Sequence, residues 1–586
     1  MKLNLLRKEI LNQKLNGFVI PINDQYRNEW IPLHDQRLKW LTGFTGSAGI
    51  AIVLENLAAL FVDGRYIIQA KKEVDEKNYE IYHINKLSPY NWLNKVLKNS
   101  KLGIDPWLHS QNEINNFQKI CFSKNSKLVL TKENIIDTIW QKKPKPKIKK
   151  ITIYNKKYHG QDSGIKRKKM ALSSLQSGAN NTFITSPESI AWLLNIRGGD
   201  TEYTPISVCY AILNKNSKVT VFIDKRKIDN HIKSSFSSQI EFKSIKEIDY
   251  FINNLSKKNN QTILLERDAT PFWIYERFKE AKIKIINGKD PCKLAKSIKN
   301  KTEIDGIKNA HIRDGSALVK FLYWIDRNKN ITSISELDIC NKLLNLRKKN
   351  KLFNSLSFPT ISGSGPNGAI VHYRVDTKSD RKLKFGDLLL FDSGAQYFDG
   401  TTDVTRTIAI GKPSNEQIDR FTRVLKGHIS ISSCIFPNGT RGAQLDSLGR
   451  IPLWEIGLDY DHGTGHGVGA FLNVHEGPQN ISKSNNETPL KPGMIISNEP
   501  GYYKEGKYGI RIENLILVRK SKLKNMMQFE TLTMAPIDKS LINKSKLNDC
   551  EINWLNKYHS KIYKTLKPTL PLKIQKWLKN VTLPIN

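Results

Sequence analysis

Two stretches of this chain share one frame. In the first, Lys384-Phe385-Gly386-Asp387 leads into an apolar run, Leu388-Leu389-Leu390-Phe391, that ends on Asp392-Ser393-Gly394. In the second, Lys491-Pro492-Gly493 leads into Met494-Ile495-Ile496-Ser497-Asn498 and ends on Glu499-Pro500-Gly501. Lys384 and Lys491, Gly386 and Gly493, Asp392 and Glu499, and Gly394 and Gly501 are each 107 positions apart. Each copy reads as a turn, an apolar strand, a carboxylate and a second turn. A frame repeated at that distance predicts two halves related by pseudo-symmetry, with a carboxylate at an equivalent place in each.

A further carboxylate follows each copy. Asp403 comes eleven positions after Asp392, past Phe398-Asp399-Gly400, and Glu513 comes fourteen after Glu499, past Lys504-Glu505-Gly506. Both gaps hold turn residues between strand-like runs, so both read as hairpins. A hairpin can bring its two carboxylates to neighbouring cross-strand positions, with β-carbons about 5 Å apart. Two such hairpins facing each other bring four carboxylates together. Four converging carboxylates repel, and cations relieve that repulsion.

A nitrogen donor lies close by. His462-Gly463-Thr464-Gly465-His466-Gly467-Val468-Gly469 is a glycine-rich loop whose backbone can approach a site closely. Two hard cations bridged by carboxylates, with one imidazole, suit Mn²⁺, Fe²⁺ or Co²⁺ better than a thiolate zinc site. Such ions lie roughly 3.5–4 Å apart and share an activated water, which makes the centre hydrolytic.

The rest of the chain frames this region. At 586 residues it is long enough for three or four domains of about 150 residues. The segment 142–150 (KKPKPKIKK) reads as a proline-stiffened linker. Before it, 17–21, 49–54 and 58–62 read as strands, the last two as a pair, and Asp63-Gly64-Arg65-Tyr66 turns into a helix. After it, Asp162 or Ser163 caps a helix, 187–194 forms another, and 219–223 and 262–265 read as strands. The two stretches share a rhythm that predicts a duplicated α/β fold. A long amphipathic helix over 302–325 opens the third region, with Ile304, Ile307, Ala310, Leu318 and Leu322 near one face. The last stretch carries Trp554, Leu555, Tyr558, Trp577 and Leu578 on expected helices. The boundaries are therefore placed at 1–143, 151–295, 296–525 and 526–586.

The formal net charge is +38. Its lysines are spread along the whole chain, which reads as a surface bias, so a nucleic-acid partner is not expected. Six separated cysteines with no CxxC pair exclude a disulfide framework or zinc ribbon and fit a reducing compartment. The N-terminus begins as a charged amphipathic helix with no secretory signal, and no stretch has the length of a membrane span. A soluble, cytoplasmic protein is expected.

Four segments of the third region carry a family likeness: SFPTISGSGPNGAIVHYR (357–374), DSGAQYFDGTTDVTRT (392–407), LDYDHGTGHGVGAFLNVHEGP (458–478) and NEPGYYKEGKYGIRIEN (498–514). They closely resemble the Xaa-Pro aminopeptidases, metallopeptidases of the pita-bread fold. WLTGFTGSAGIAIV (40–53), VDGRYIIQAKKEVD (62–75), SPESIAWLLNIRGGD (186–200) and INWLNKYHSKIY (552–563) extend the likeness over nearly the whole chain, in the long three-domain form. The resemblance implies two creatinase-like α/β domains, a pita-bread catalytic domain and a C-terminal helical extension. It also implies two divalent ions, Mn²⁺ first, a homodimer, and peptides with proline at position two as substrates.

Residue by residue, the resemblance implies that Asp392 binds one ion, Asp403 and Glu513 bridge the pair, and His466 and Glu499 bind the other. Glu499 also handles the proton of the attacking water. His475 steadies the oxyanion, His372 positions the substrate carbonyl, and His462 and Tyr503 line the proline pocket. Arg511, two positions before Glu513, shares its face on a strand and can orient a carboxylate. Arg65 matches a position that reaches the substrate; the other reading of it is a structural turn arginine. Two other functions compete: a prolidase that takes only dipeptides, and a non-catalytic pita-bread binding module. The presence of all five donors speaks against the module, and the long second domain and C-terminal extension speak against the prolidase.

Overall fold

The computed structural model describes residues 2–236 and 238–585. The chain divides into two compact units, Met1–Asn155 with Gln161–Lys293, and Lys156–Gly160 with Leu294–Asn586.

The first unit holds two six-stranded sheets of the same design. One runs Glu80–His83, Ala58–Val62, Ile50–Leu54, Gly17–Pro21, Lys101–Ile104, Lys127–Leu130. The other runs Ile240–Lys243, Val219–Phe222, Tyr210–Asn214, Asn181–Ile184, Thr262–Leu265, Lys284–Asn287. In both, the first strand in sequence pairs antiparallel with the second and parallel with the fifth. The second and third pair antiparallel, and each outer strand joins in parallel. The duplicated fold expected from the rhythm of strands and helices is present. Local signals act as expected. Asp162 accepts the backbone N–H of Gly164 at the start of helix Ser163–Gln176, and Ser186 with Pro187 opens Pro187–Leu194. The lysine–proline run 142–150 has no helix or strand, as its missing backbone donors and solvated charges require.

The second unit opens with helix Lys301–Asp326. Asn300 and Glu303 form a reciprocal capping box there, which satisfies two orphan backbone donors. Ile307, Ala310, Leu318 and Leu322 are buried, and Ile304 is half-buried. Each copy of the repeated frame comes after two helices: Lys301–Asp326 and Glu336–Lys348 before the first, Asn415–Ser433 and Gly442–Trp454 before the second. The frames themselves start identically. The N–H of Asp387 bonds the carbonyl of Lys384, and that of Met494 bonds the carbonyl of Lys491, both at 3.1 Å. The third residue of each turn has positive φ, +87° at Gly386 and +95° at Gly493. That is a type II turn, which explains glycine at both places. The strands then part company. Leu388–Ser393 is the middle of a three-stranded sheet between Ile361–Ser364 and Val404–Ala409. Ile495–Asn498 lies inside a six-stranded sheet, between Asn514–Lys520 and Gly465–Gly467.

The C-terminal helices Asp549–Leu566 and Leu572–Val581 belong to the main core of this unit. Leu555, Tyr558, Ile562, Leu566, Trp577 and Leu578 pack in one cluster with Leu318, Phe321, Phe391, Val424 and Leu425. Among the described residues, no helix is long and apolar enough to cross a membrane. All six cysteines are free.

Candidate metal centre

The two hairpins deliver their carboxylates by different geometry. In the first, Asp392 pairs with Thr405 across the ladder, and the same register continues through Gln396 and Thr401. Gly394 therefore faces Asp403, and the two carboxylates are diagonal neighbours on one face rather than direct partners. Gly394 is required there, since a Cβ would lie 2.0 Å from the Thr402 carbonyl. In the second, one register runs from Ile495–Leu517 to Asn498–Asn514 and resumes at Gly501–Arg511. Glu499 and Glu513 fall opposite each other in the break. The direct pairing expected for both hairpins holds for the second alone.

The glycine-rich loop brings the imidazole. A Cβ on Gly465 would lie 1.9 Å from the Ser497 carbonyl, so only glycine lets strand Gly465–Gly467 run this close to the second frame. His466 Nδ1 lies 3.0 Å from the Gly467 carbonyl and donates its proton there. Its Nε2 is left as a lone-pair donor, 3.3 Å from Glu499 Oε1 and 3.6 Å from Asp403 Oδ2. Donor atoms of Asp403, His466 and Glu513 all lie within 4.8 Å of one another. The set is four carboxylates and one imidazole with no thiolate, which suits a hard or borderline divalent ion.

Two side chains that the sequence reading did not single out bond these donors directly, and a third, His428, lies one residue behind them. The Thr405 hydroxyl donates to Glu513 Oε2 at 2.8 Å and accepts from Arg511 Nε at 3.1 Å. The Ser497 hydroxyl donates to Glu499 Oε1 at 3.0 Å and accepts the His466 backbone N–H at 2.9 Å. His428 sits behind the second hairpin, against Asn498 and Asn514. Ser497 and Thr405 lie two positions from Glu499 and Asp403, so the period-two rule could have found them. His428 had no local signal.

Arg511 orients a carboxylate as expected, but that of the other hairpin: its Nη2 donates to Asp392 Oδ2 at 2.6 Å. Its Nη1 donates to the Tyr503 hydroxyl at 2.6 Å, and that hydroxyl donates to His462 Nε2 at 2.8 Å. His462, Tyr503, Arg511 and Asp392 thus form one chain of hydrogen bonds. The exposed His475 stands edge-on to His466, with ring centroids 4.4 Å apart. The half-buried His372 follows Val371, whose carbonyl accepts from Arg511 Nη1 at 3.4 Å. Arg65 lies in the first unit. There its guanidinium pairs with Asp63 at 2.7 Å and covers the Tyr66 ring at 5.2 Å.

The electrostatics of the cluster call for cations. Burial, then the charges of Glu513, Asp392 and Glu499, pushes the Asp403 carboxyl far above the usual range. Burial, then Glu499 and Asp392, does the same to Glu513. Burial raises Glu499 to about 7, with Asp392 adding to the rise. Burial, with His475 beside it, lowers His466 to about 3, so its imidazole is neutral and able to ligate. Asp392 Oδ1 and Glu513 Oε1 are buried without a hydrogen-bond partner among the described residues. Buried carboxylate oxygens are otherwise costly to leave unpaired. The donor set and its orphaned oxygens fit a pair of divalent ions.

Known proteins agree with this reading along the whole chain. Residues 305–520 match the profile of Metallopeptidase family M24. Residues 2–139 and 142–303 match creatinase/prolidase N-terminal domains, and 525–585 match the C-terminal region of peptidase M24. Aminopeptidase P1 of Lotus japonicus is 35% identical, covering 97% of each chain. A probable Xaa-Pro aminopeptidase P of Laccaria bicolor is 39% identical over all of this chain and 93% of its own. Among solved structures, the X-prolyl aminopeptidase of Caenorhabditis elegans superimposes with a TM-score of 0.95 at 32% identity, covering 100% of this chain and 99% of that one. That protein is described as a cytosolic enzyme with a di-nuclear active site. An Xaa-Pro dipeptidase of Bacillus anthracis is 26% identical with a TM-score of 0.53, and covers 64% of this chain. With donors, domain order and full-length relatives in agreement, this chain belongs to metallopeptidase family M24, within its Xaa-Pro aminopeptidases.

Proposed function

We propose that this protein is a metal-dependent aminopeptidase that hydrolyses the peptide bond before a penultimate proline and releases the N-terminal residue. The observation that carries this is the oxygen-and-imidazole cluster at Asp403, His466, Glu513 and Glu499, set in a chain that matches an X-prolyl aminopeptidase from end to end. A bond to proline is a tertiary amide with no N–H, so a peptidase that reads that proton fails on it and a dedicated ring pocket is needed.

Asp392, Asp403, His466, Glu499 and Glu513 would hold two divalent ions, with Mn²⁺ the first choice. When bound, the pair supplies Lewis acidity, which polarises the scissile carbonyl and makes water acidic enough to attack near neutral pH. Glu499 accepts the proton of that water and returns it to the leaving proline nitrogen. Ser497 holds the Glu499 carboxylate in place for this transfer. His475 donates to the developing oxyanion, and His372 positions the carbonyl. His462 and Tyr503 line the ring pocket, with Arg511 fixing Tyr503. Arg65 of the first domain contacts the substrate. Arg65→Ala is expected to raise KM at least threefold with kcat nearly unchanged; an unaltered KM leaves Arg65 a turn residue bound to Asp63.

The working boundaries remain 1–143, 151–295, 296–525 and 526–586, with a cytoplasmic homodimer as the working state. The deciding experiment offers Arg-Pro-Pro and Gly-Pro to the Mn²⁺-loaded protein. Release of arginine is expected. Cleavage of Gly-Pro with every longer peptide intact makes it a prolidase instead.

A further inference from the structure

Behind the metal-ligand strands lies a chain of buried polar side chains that no step above uses. Asn498 and Asn514 are cross-strand partners, each next to a ligand, Glu499 and Glu513. Alternation along a strand turns them away from the ligands. Asn514 Oδ1 accepts from Arg406 Nη2 at 2.8 Å, and Asn514 Nδ2 meets His428 Nε2 at 3.0 Å. His428 Nδ1 meets the Asn498 carbonyl at 3.1 Å. Asn498 Nδ2 returns to the His428 carbonyl at 2.9 Å and to Ser432 Oγ at 2.8 Å. Arg406, His428, Asn498 and Asn514 are each no more than 1% exposed.

Each orientation in this chain is forced by its neighbour. Arginine only donates, so Asn514 must turn its oxygen to Arg406. Its NH₂ then faces His428, whose Nε2 must accept. The ring proton is left on Nδ1, aimed at the Asn498 carbonyl. The guanidinium of Arg406 also holds the ligand side directly, because Nη1 donates to the carbonyls of Glu513 at 2.6 Å and Thr405 at 2.8 Å.

The far end of the bridge is closed by the C-terminal segment. The Tyr558 hydroxyl lies 2.8 Å from Arg406 Nη2 and 3.1 Å from Asn514 Oδ1. Trp554, one helical turn earlier, stacks on Tyr558 at 5.2 Å and meets the His428 ring edge-on at 5.8 Å.

We propose that His428, held between Asn498 and Asn514, with Tyr558 bonded to Asn514 at the far end, is a positioning residue that sets the separation of Glu499 and Glu513, and so the affinity for the second ion of the pair. The C-terminal helix thereby becomes a working part of the metal centre. This inference rests on the two-ion reading above.

The test measures bound Mn²⁺ by equilibrium dialysis and metal analysis, together with the low-temperature EPR signal of a spin-coupled Mn²⁺ pair. His428→Phe keeps a ring and deletes both bonds. It is expected to weaken paired binding about tenfold or more, as loss of outer-shell partners does, and to replace the coupled signal by that of isolated ions. His428→Gln, with one acceptor and one donor, is expected to recover most of the loss. A folded H428F with paired binding within twofold of the unaltered chain and an intact coupled signal overturns the proposal, even if its melting point falls. Should H428F not fold, Tyr558→Phe decides. About threefold weaker paired binding is expected there, and unchanged binding overturns the proposal. An unaltered chain that binds no pair at all refutes the two-ion reading itself.

Discussion

Glu499 is held at odds with the stability of its own fold, and that is measurable in metal-free protein. Its carboxyl rises from an ordinary 4.5 to about 7, first through burial and then through Asp392. A group whose folded pKa is raised binds more protons folded than unfolded. Its contribution is fully present below about pH 4.5 and is lost as pH climbs through 7. The difference of about 2.5 pH units, at about 1.4 kcal/mol each, gives about 3 kcal/mol of destabilisation at pH 8. The side chain is 16% exposed, so solvent screening removes little of this. Glu499→Gln is uncharged at every pH and still accepts from Ser497. In chelator-treated protein at pH 8, E499Q is therefore expected to be more stable than the unaltered chain by about 3 kcal/mol. That is roughly 6 °C in the melting midpoint of the second unit, at about 2 °C per kcal/mol. At pH 4.5 the two proteins should melt together. With Mn²⁺ the order should reverse, because ions stabilise only the state that binds them. The assay is a melting series from pH 4.5 to 8, with chelator and with Mn²⁺. No stabilisation of E499Q at pH 8, or one that persists unchanged at pH 4.5, refutes the electrostatic account of the cluster.

Other outcomes follow from the same geometry. Asp403→Ala removes a carboxylate that the proposed ion pair would share; metal analysis should show loss of the pair, and hydrolysis should fall by about three orders of magnitude, on the order of 4 kcal/mol of barrier. Near-normal turnover in D403A would falsify the two-ion reading. Thr405→Val deletes the hydroxyl between Glu513 and Arg511 without changing shape, and titration should show Mn²⁺ bound about tenfold more weakly. Any DNA binding that the +38 charge supports is expected to be weak and to vanish at moderate salt in a gel-shift titration; tight, salt-resistant binding to one sequence would contradict the surface-bias reading.

Much of the site was legible in the sequence because strand chemistry is local. A type II turn needs its glycine, so Gly386 and Gly493 announced both frames. Alternation with period two placed Arg511 on the ligand face and could have added Thr405 and Ser497. The same local rules marked the cap at Asp162 or Ser163, the helices over 187–194 and 302–325 and the duplicated N-terminal rhythm. Pairing was less legible. The two hairpins look alike in sequence, yet one sets its carboxylates opposite and the other diagonally, because the residue opposite Asp392 is Thr405 and Asp403 falls two short of it, whereas Glu513 falls on the register of Glu499.

By itself, the sequence determined the donors, the hairpins that carry them and the family they resemble. Turn chemistry and alternation act over a few residues and are written in those residues. Tertiary structure alone decided who holds the donors. Arg511 reaches across to Asp392, 119 positions away, and Arg406 reaches Tyr558, 152 positions away. No periodicity joins such partners. They meet because burying their polar groups is tolerable only where each finds its complement, and that is settled when the core closes.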